Sequence, residues 1–333
     1  MTNGVEEENG EQAMKIRSRT VGPSLWVLLA AGLAACSGGQ PGPQQEAPPP
    51  APPSQTVRQF TIGAMTGFAL RDGDLEFPND NKVFGVGHTP AEVAEVLAAA
   101  GLPEDKLTLS LQPLLVKVAG RVMLFDAGAG RNMGEGAGRL LDSLAEAGVK
   151  PEDVSDVFIS HLHGDHVGGL VNAEGNATFP NATVRISAPE WDALRAMNAR
   201  TAANYGIQNH RDVVNVIAPS VATFQPGGDV LPGMVRAVEV KGHTPGHSAF
   251  RIGTGANSLL YVGDSMHHHV VSLQKPDWHI AFDGDAKTGA ASRAALLEEL
   301  AAGNQRIYAV HFPFPGLGRI QKGDAGFTWV PEQ

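Results

Sequence analysis

Hydrophobic residues fall in short blocks along the chain, and the period of the blocks changes. From Leu111 to Phe125 two apolar stretches, LLVKV and RVMLF, flank an Ala-Gly turn and predict a β-hairpin that runs into Asp126. Leu140, Leu141 and Leu144 recur at helical spacing before Gly148 and Pro151. The run from Val157 to Ser160 predicts a buried strand, 182–187 a second strand, and Pro189 to Ala199 a helix. Residues 235–240 alternate with period two, 258–263 form another apolar block, 288–302 are rich in Ala and Leu as a helix requires, and 307–310 make a short strand. Strands alternating with helices predict an α/β protein built in layers. No comparable period places 60–105 or 190–232. Four of the strand candidates lead to His161, His243, Asp264 and His311 with at most two residues between. Strand ends projecting from a sheet make a rigid rim for a site.

The N-terminal pattern is different. A basic start at 14–19, an apolar run from Val21 to Ala35 and then Cys36 read as a secretory signal, too short to span a membrane. The string LAAC at 33–36 resembles a bacterial lipobox, which implies lipid attachment at Cys36. Residues 1–36 are therefore expected to be a lipoprotein-type signal peptide, with Met14 as an alternative start because acidic residues 6–11 are unusual ahead of such a segment. Residues 37–55, dominated by Gly, Pro, Gln and Ser, read as an extended linker. Residues 56–333 are the expected catalytic body. The expected location is the cell envelope, as a periplasm-facing lipoprotein of the outer membrane held only through its anchor.

Composition narrows the chemistry. The chain has 333 residues, 42% hydrophobic and 18% charged, which is the make-up of a globular core. A net charge of −10 argues against nucleic-acid partners. The single Cys excludes an internal disulfide and multi-cysteine metal sites. Neither a GxSxG elbow nor a P-loop motif is present. What remains is histidine: 12 of them, none before His88.

The string HLHGDH at 161–166 holds four ligand-type side chains in six residues. His161 and His163, two apart, point the same way in an extended segment, while Asp165 and His166 turn toward a neighbouring point. One ion rarely takes four ligands from so short a loop, so the spacing suggests two adjacent metals. Imidazole with carboxylate suits zinc, iron and manganese. Packing these groups without a metal would crowd buried polar atoms at a cost in stability.

HxHxDH after a strand, GHTPGH at 242–247, GDS at 263–265 and a final His311 together resemble the metallo-β-lactamase superfamily over the whole folded body. The closest resemblance within it is to the methyl parathion hydrolase-like branch, through the tail HFPFPGLGRI and FTWVP and the segment FPNATVR. The resemblance implies a four-layer αββα sandwich with the metal site at one edge of its two sheets. It implies one ion on His161, His163 and His243, another on Asp165, His166 and His311, and Asp264 bridging. The implied cofactors are two divalent ions, zinc being the leading choice and manganese, iron or cobalt the alternatives. Such a pair would share a hydroxide that attacks a carbonyl or phosphoryl centre, oriented by Asp165. The sequence departs from the family in Gly164, where many relatives carry Pro, and in Ala127, where many carry Thr.

Other residues have weaker claims. Asp126 and His247 are candidates to support ligands from behind, and His267 stands at the offset where related lactonases place a tyrosine facing substrate. The run His267-His268-His269 otherwise suits a solvated rim. Phe84, Trp191, Trp278, Phe312 and Phe314 are candidates for an apolar wall, with core packing the better reading for each; Phe312 and Phe314 follow a ligand directly. The expected function is a dinuclear hydrolase of small ester, lactone or organophosphate substrates. The alternatives are an acyl-homoserine lactonase, a β-lactamase, or an envelope lipoprotein that binds metal without catalysis. The expected partner is a small-molecule substrate, and a homodimer is compatible with the sequence.

Overall fold

The computed structural model describes residues 54–118, 120–324 and 326–332. The signal, linker and Cys36 readings lie outside these residues. Among them no helix is long and apolar enough to cross a membrane.

Two seven-stranded sheets carry the fold. The first runs Val57–Ile62, Met65–Leu70, Leu114–Val118, Arg121–Phe125, Asp156–Ile159, Thr183–Ser187 and Val221–Phe224 in spatial order. Its first four strands pair antiparallel and the rest parallel. The second runs Asp229–Leu231, Val235–Glu239, Ser248–Ile252, Leu259–Tyr261, Arg306–Tyr308, Leu317–Gly323 and Gly326–Pro331. Only Leu259–Tyr261 and Arg306–Tyr308 pair in parallel there.

The sheets face each other across an aromatic core of Phe125, Phe158, Phe250, Tyr261 and Tyr308. Phe125 and Phe158 stack with centroids 4.7 Å apart. Asp156–Ile159 is buried at every position, as expected of a central parallel strand covered on both faces. Helices Leu140–Glu146, Ala188–Ala196 and His210–Ile217 cover the outer face of the first sheet through Leu144, Leu194, Val213 and Ile217. Helix Ala286–Ala302 covers the second through Leu296, Leu297 and Leu300. This is the expected αββα sandwich.

The hairpin, the helices near 140, 190 and 290, and the strands near 157, 184, 237, 260 and 307 fall within a few residues of their expected places. The ligand-bearing strands stop slightly earlier than the pattern suggests, at Ile159, Glu239, Tyr261 and Tyr308. Short turns carry the chain on to His161, His243, Asp264 and His311. The segment 60–105 supplies two strands of the first sheet's edge, a separate pairing of Gly73–Pro78 with Lys106–Leu111, and helix Pro90–Ala99. That helix opens on a capping box between Thr89 and Glu92.

Candidate metal centre

The strand ends of both sheets meet at one edge, the usual place for a site in open α/β sheets. There the structure gathers two clusters whose ligand atoms all lie within 4.8 Å of one another: His161, His163, His243 and Asp264, and Asp165, His166 and His311. The partition is the one the motifs imply. His161 Nε2 lies 2.9 Å from His163 Nδ1, which lies 3.0 Å from His243 Nε2. Asp264 sits between the clusters with one oxygen toward each. Its Oδ1 is 3.1 Å from both His166 Nε2 and His311 Nε2, and its Oδ2 is 3.4 Å from His243 Nε2 and 3.5 Å from His161 Nε2.

Four of the five inward-facing imidazoles are held from behind. His166 Nδ1 donates to Asp126 Oδ2 at 2.7 Å, and His243 Nδ1 to Asp283 Oδ1 at 2.9 Å. His311 Nδ1 donates to the Ser110 carbonyl at 3.0 Å, and His161 Nδ1 lies 3.0 Å from Ser160 Oγ. Tying Nδ1 as a donor leaves Nε2 a bare lone pair, the tautomer that metal ligation requires. Asp126 collects four bonds in all, from the Ser160 amide and hydroxyl, His166 and the Tyr261 hydroxyl. It does so from a left-handed backbone (φ 59°), a conformation that aspartate tolerates better than most residues. His247 holds Asp264 in place: its Nδ1 donates to the Val240 carbonyl and its Nε2 accepts from the Asp264 amide at 2.9 Å. Gly263 makes that bond possible, since a Cβ there would stand 2.8 Å from His247 Nε2.

The donor set fits divalent ions. His166 Nε2 and Asp264 Oδ1 are buried and have no hydrogen-bond partner. Tetrahedral zinc with Zn–N bonds near 2.0–2.1 Å separates ligand nitrogens by about 3.3 Å, close to the spacing of the three-histidine cluster. Burial and the neighbouring imidazoles hold His161 and His163 well below the usual range, so both are neutral. Burial also opposes protonation of His243, but Asp264 and Asp283 outweigh it and push it up to about 9. His166 and His311 are likewise raised by the carboxylates around them. A divalent ion would compete with protons for these same imidazole nitrogens.

A pocket of about 230 Å³ opens over the clusters. Leu75, Phe77, Leu109, Met133, Tyr205 and Phe282 form most of its apolar lining, while Asp165, Asp264, His267 and His311 reach its floor. Among the described residues no Lys or Arg lines it. His267 is fully buried, with Nε2 3.2 Å from Asp264 Oδ2 and neither ring nitrogen hydrogen-bonded. The rim reading for its neighbours needs correction. His268 is buried, and its Nδ1 accepts from the Val270 and Val271 amides. His269 packs against Phe312 and Trp329.

The aromatic candidates follow the core-packing reading, and none of them lines this pocket. Phe312 is buried against Trp329 in the core under helix Ala286–Ala302, and Phe314 lines a different cavity. Phe84 and Trp278 belong to a separate core cluster and Trp191 to the core of the first sheet. Sequence reasoning did not find Phe77, Phe282, Asp283 or Glu190. Glu190, fully buried, accepts from the Gly246 amide and so joins helix Ala188–Ala196 to the loop that bears His243. Only its place three residues after the helix-capping Ser187 marks it in the sequence.

The sandwich with paired His/Asp clusters at one edge defines a class. The metallo-beta-lactamase superfamily model matches residues 113–311, more than half of the chain, and the chain belongs to that superfamily. Among solved structures it is similar to AidC, a dizinc quorum-quenching lactonase, at 30% identity and TM-score 0.78, covering 84% of this chain and 98% of that one. It is also similar to the hydrolase AbOPH of the beta-lactamase superfamily, at 29% identity and TM-score 0.75, covering 85% and 99%. An N-acyl homoserine lactonase of Bacillus cereus is 32% identical over 124 residues, which cover 37% of this chain and 42% of that protein. A probable metallo-hydrolase of Mycobacterium bovis is 28% identical, covering 40% and 43%. The chain thus spans less than half the length of these two curated relatives.

Proposed function

We propose that this chain is a dinuclear metal hydrolase that opens small, uncharged lactones, with apolar esters as secondary substrates. The observation that carries the reading is the joined pair of clusters under a small apolar pocket in which, among the described residues, no Lys or Arg takes part. Among the described residues no Lys or Arg stands in the lining to pair with an obligatory substrate carboxylate such as that of a β-lactam. The dizinc lactonase among the similar structures supports the same substrate class.

In this reading His161, His163 and His243 would hold one ion and Asp165, His166 and His311 the other, with Asp264 placed between them. When bound, the ions supply Lewis acidity and a water acidified to a pKa near 7. The protein's own part is orientation. Asp126, Asp283, Ser160 and the Ser110 carbonyl fix the imidazoles, and His247 fixes the bridging carboxylate. Burial lowers the pKa of His267, so its neutral ring faces the pocket with one N–H to donate to a substrate oxygen. The apolar residues seat the organic part of the substrate and exclude bulk water.

The methyl parathion hydrolase-like resemblance sustains a second reading, phosphotriester cleavage, because the same pocket accepts a neutral triester. Metal analysis of the purified body, then a panel of lactones, aryl esters, phosphotriesters and nitrocefin, tests both readings. Lactone turnover lost in His161→Ala and Asp264→Asn is expected; turnover of phosphotriesters alone favours the second, and activity independent of both residues overturns the metal hydrolase. The anchor at Cys36 belongs to this proposal too. It places the enzyme at the envelope, and Cys36→Ser is expected to release it from the membrane fraction.

A further inference from the structure

The loop 276–283, between the turn beyond His267 and helix Ala286–Ala302, brings two side chains to the site from outside every motif. Phe282 lines the pocket, with its ring centroid 5.7 Å from that of His267 and 6.3 Å from that of His163. Asp283 accepts from His243 Nδ1. Both positions depend on what holds the loop: His279–Ile280 pairs with the strand at 84–86, and one residue of the helix binds the loop at several points.

Arg293 is 1% exposed, and its guanidinium reaches the loop at three points. Nε donates to the Pro276 carbonyl at 2.9 Å, Nη2 to the Trp278 carbonyl at 3.1 Å, and Nη1 to Asp283 Oδ2 at 3.4 Å. The planar fork matches three acceptors of fixed direction, which the point charge of a lysine does not. The chain His243–Asp283–Arg293 therefore runs from the metal cluster to a helix packed on the second sheet. The backbone repeats the link: the Gly284 amide donates to the His243 carbonyl and the Asp285 amide to that of Gly242. A buried guanidinium is costly to desolvate, and hydrophobic residues of similar volume often stabilise a core as well or better. A core that needed only cohesion has cheaper solutions.

We infer that Arg293 is a positioning residue that, through Asp283, sets the orientation of His243 toward the metal cluster, and through Pro276 and Trp278 holds the pocket wall at Phe282. This rests on the metal-hydrolase reading. The fork fixes Asp283, and Asp283 in turn keeps the His243 ring aimed at the cluster.

The test uses the whole metal-loaded body, titrated with a competing chromogenic chelator, with zinc counted by elemental analysis and cobalt substitution read by visible absorption. Outer partners of ligating histidines are worth 10–100-fold in metal affinity. Asp283→Asn and Arg293→Met are each expected to lose one of the two ions at a chelator concentration at least about tenfold lower than wild type, with the other ion retained. The double variant is expected to be no worse than Asp283→Asn alone, because both act through one chain of contacts. The cobalt spectrum is expected to change at one site only. Arg293→Lys, which keeps the charge but loses the fork, is expected to fall between, and it carries the test if Arg293→Met does not fold. A lower melting temperature with unchanged metal affinity and an unchanged cobalt spectrum would show that Arg293 merely glues the helix, and it would overturn the inference. Losses that add fully in the double variant would overturn it as well. A wild-type protein that takes up no divalent ion would instead overturn the metal-hydrolase reading on which the inference stands.

Discussion

Gly164 lies inside the metal loop, where the superfamily pattern has proline, and restoring a side chain there is expected to be harmful. On local grounds proline should fit. Gly164 opens the short helix Gly164–Val167, and His163 before it is extended (φ −66°, ψ 154°), the conformation favoured ahead of proline at a helix start. The neighbours decide otherwise. The Gly164 amide donates to the Tyr205 carbonyl at 2.8 Å, and a Cβ at 164 would stand 2.2 Å from the Gly206 carbonyl oxygen. Real Cβ atoms essentially never approach within 3.0 Å. The obstacle is backbone, so no side chain can swing aside; either the metal loop or the 204–206 segment must move by close to an ångström.

Overpacking of this kind costs typically 1–3 kcal/mol, and the upper half applies where only backbone can yield. Gly164→Ala is therefore expected to lose about 2–3 kcal/mol, and Gly164→Pro about 1 kcal/mol more through the lost hydrogen bond. In a body of this size that lowers Tm by roughly 3–5 °C for the alanine variant. Tyr205 and Gly206 line the pocket, and His163 and Asp165 flank Gly164 on the chain. Hydrolysis is thus expected to fall with stability, by about tenfold or more in kcat/KM for a misplacement of this size. Thermal unfolding of the metal-loaded variants, with lactone turnover measured well below their Tm, checks both effects. A Gly164→Ala or Gly164→Pro protein that melts with wild type and turns over at the wild-type rate would refute the steric argument.

Three further outcomes follow from the contacts of single residues. Asp126→Asn keeps the shape but leaves one acceptor oxygen for four donors; metal affinity is expected to drop 10–100-fold and stability by about 2–4 kcal/mol, read by chelator competition and unfolding. His268 accepts two backbone amides only when neutral, and burial followed by its neighbour His269 lowers its pKa to about 3. A histidine depressed on folding adds stability above its unfolded pKa near 6.5 and loses it as pH falls toward 3, so it costs about 2 kcal/mol between pH 7 and pH 5. His268→Asn, whose amide oxygen can accept the same bonds, is expected to flatten the acid limb of the stability profile by that amount; an unchanged limb would reject the assignment. Phe282→Ala removes half-buried pocket wall, and kcat/KM for short-chain lactones is expected to fall about tenfold while longer acyl chains lose less.

The layered fold and the ligand positions were legible because both leave strict marks in the sequence. A parallel strand buried on two faces must be apolar along its whole length, as VFI at 157–159 is, and a metal ligand must be one of very few residue types at a fixed place beyond such a strand. The contacts behind the ligands leave weaker marks. Ser110 supports His311 with its main-chain carbonyl, which any residue could supply. Asp283 and Arg293 reach the site through a loop and a helix whose separation in space the spacing does not give. His247 was singled out only because it repeats a ligand residue type four positions on, yet its ring is turned to serve the Asp264 amide. The hydrophobic wall left no distinguishing mark at all. Phe312 and Phe314 drew notice by following a ligand, but the chain turns after His311 and carries Phe312 under the helix, away from the pocket.

That asymmetry locates where substrate choice resides. The ligands and their supports come from strand ends and from groups bonded directly to them, so they move little without loss of the metal. The pocket wall comes from Leu75 and Phe77 on an accessory strand, Met133 in a loop, Ala203 to Gly206 in the 190–232 segment, and Phe282 on the loop held by Arg293. None of these positions is a candidate ligand, and most lie in the 60–105 and 190–232 stretches without a readable period. Under the proposed reading, a sheet edge fixed in its chemistry beneath walls drawn from other elements lets substrate choice follow the wall. Exchange of the wall residues, with the seven ligands untouched, should therefore change which substrate is cleaved while the metal content stays constant.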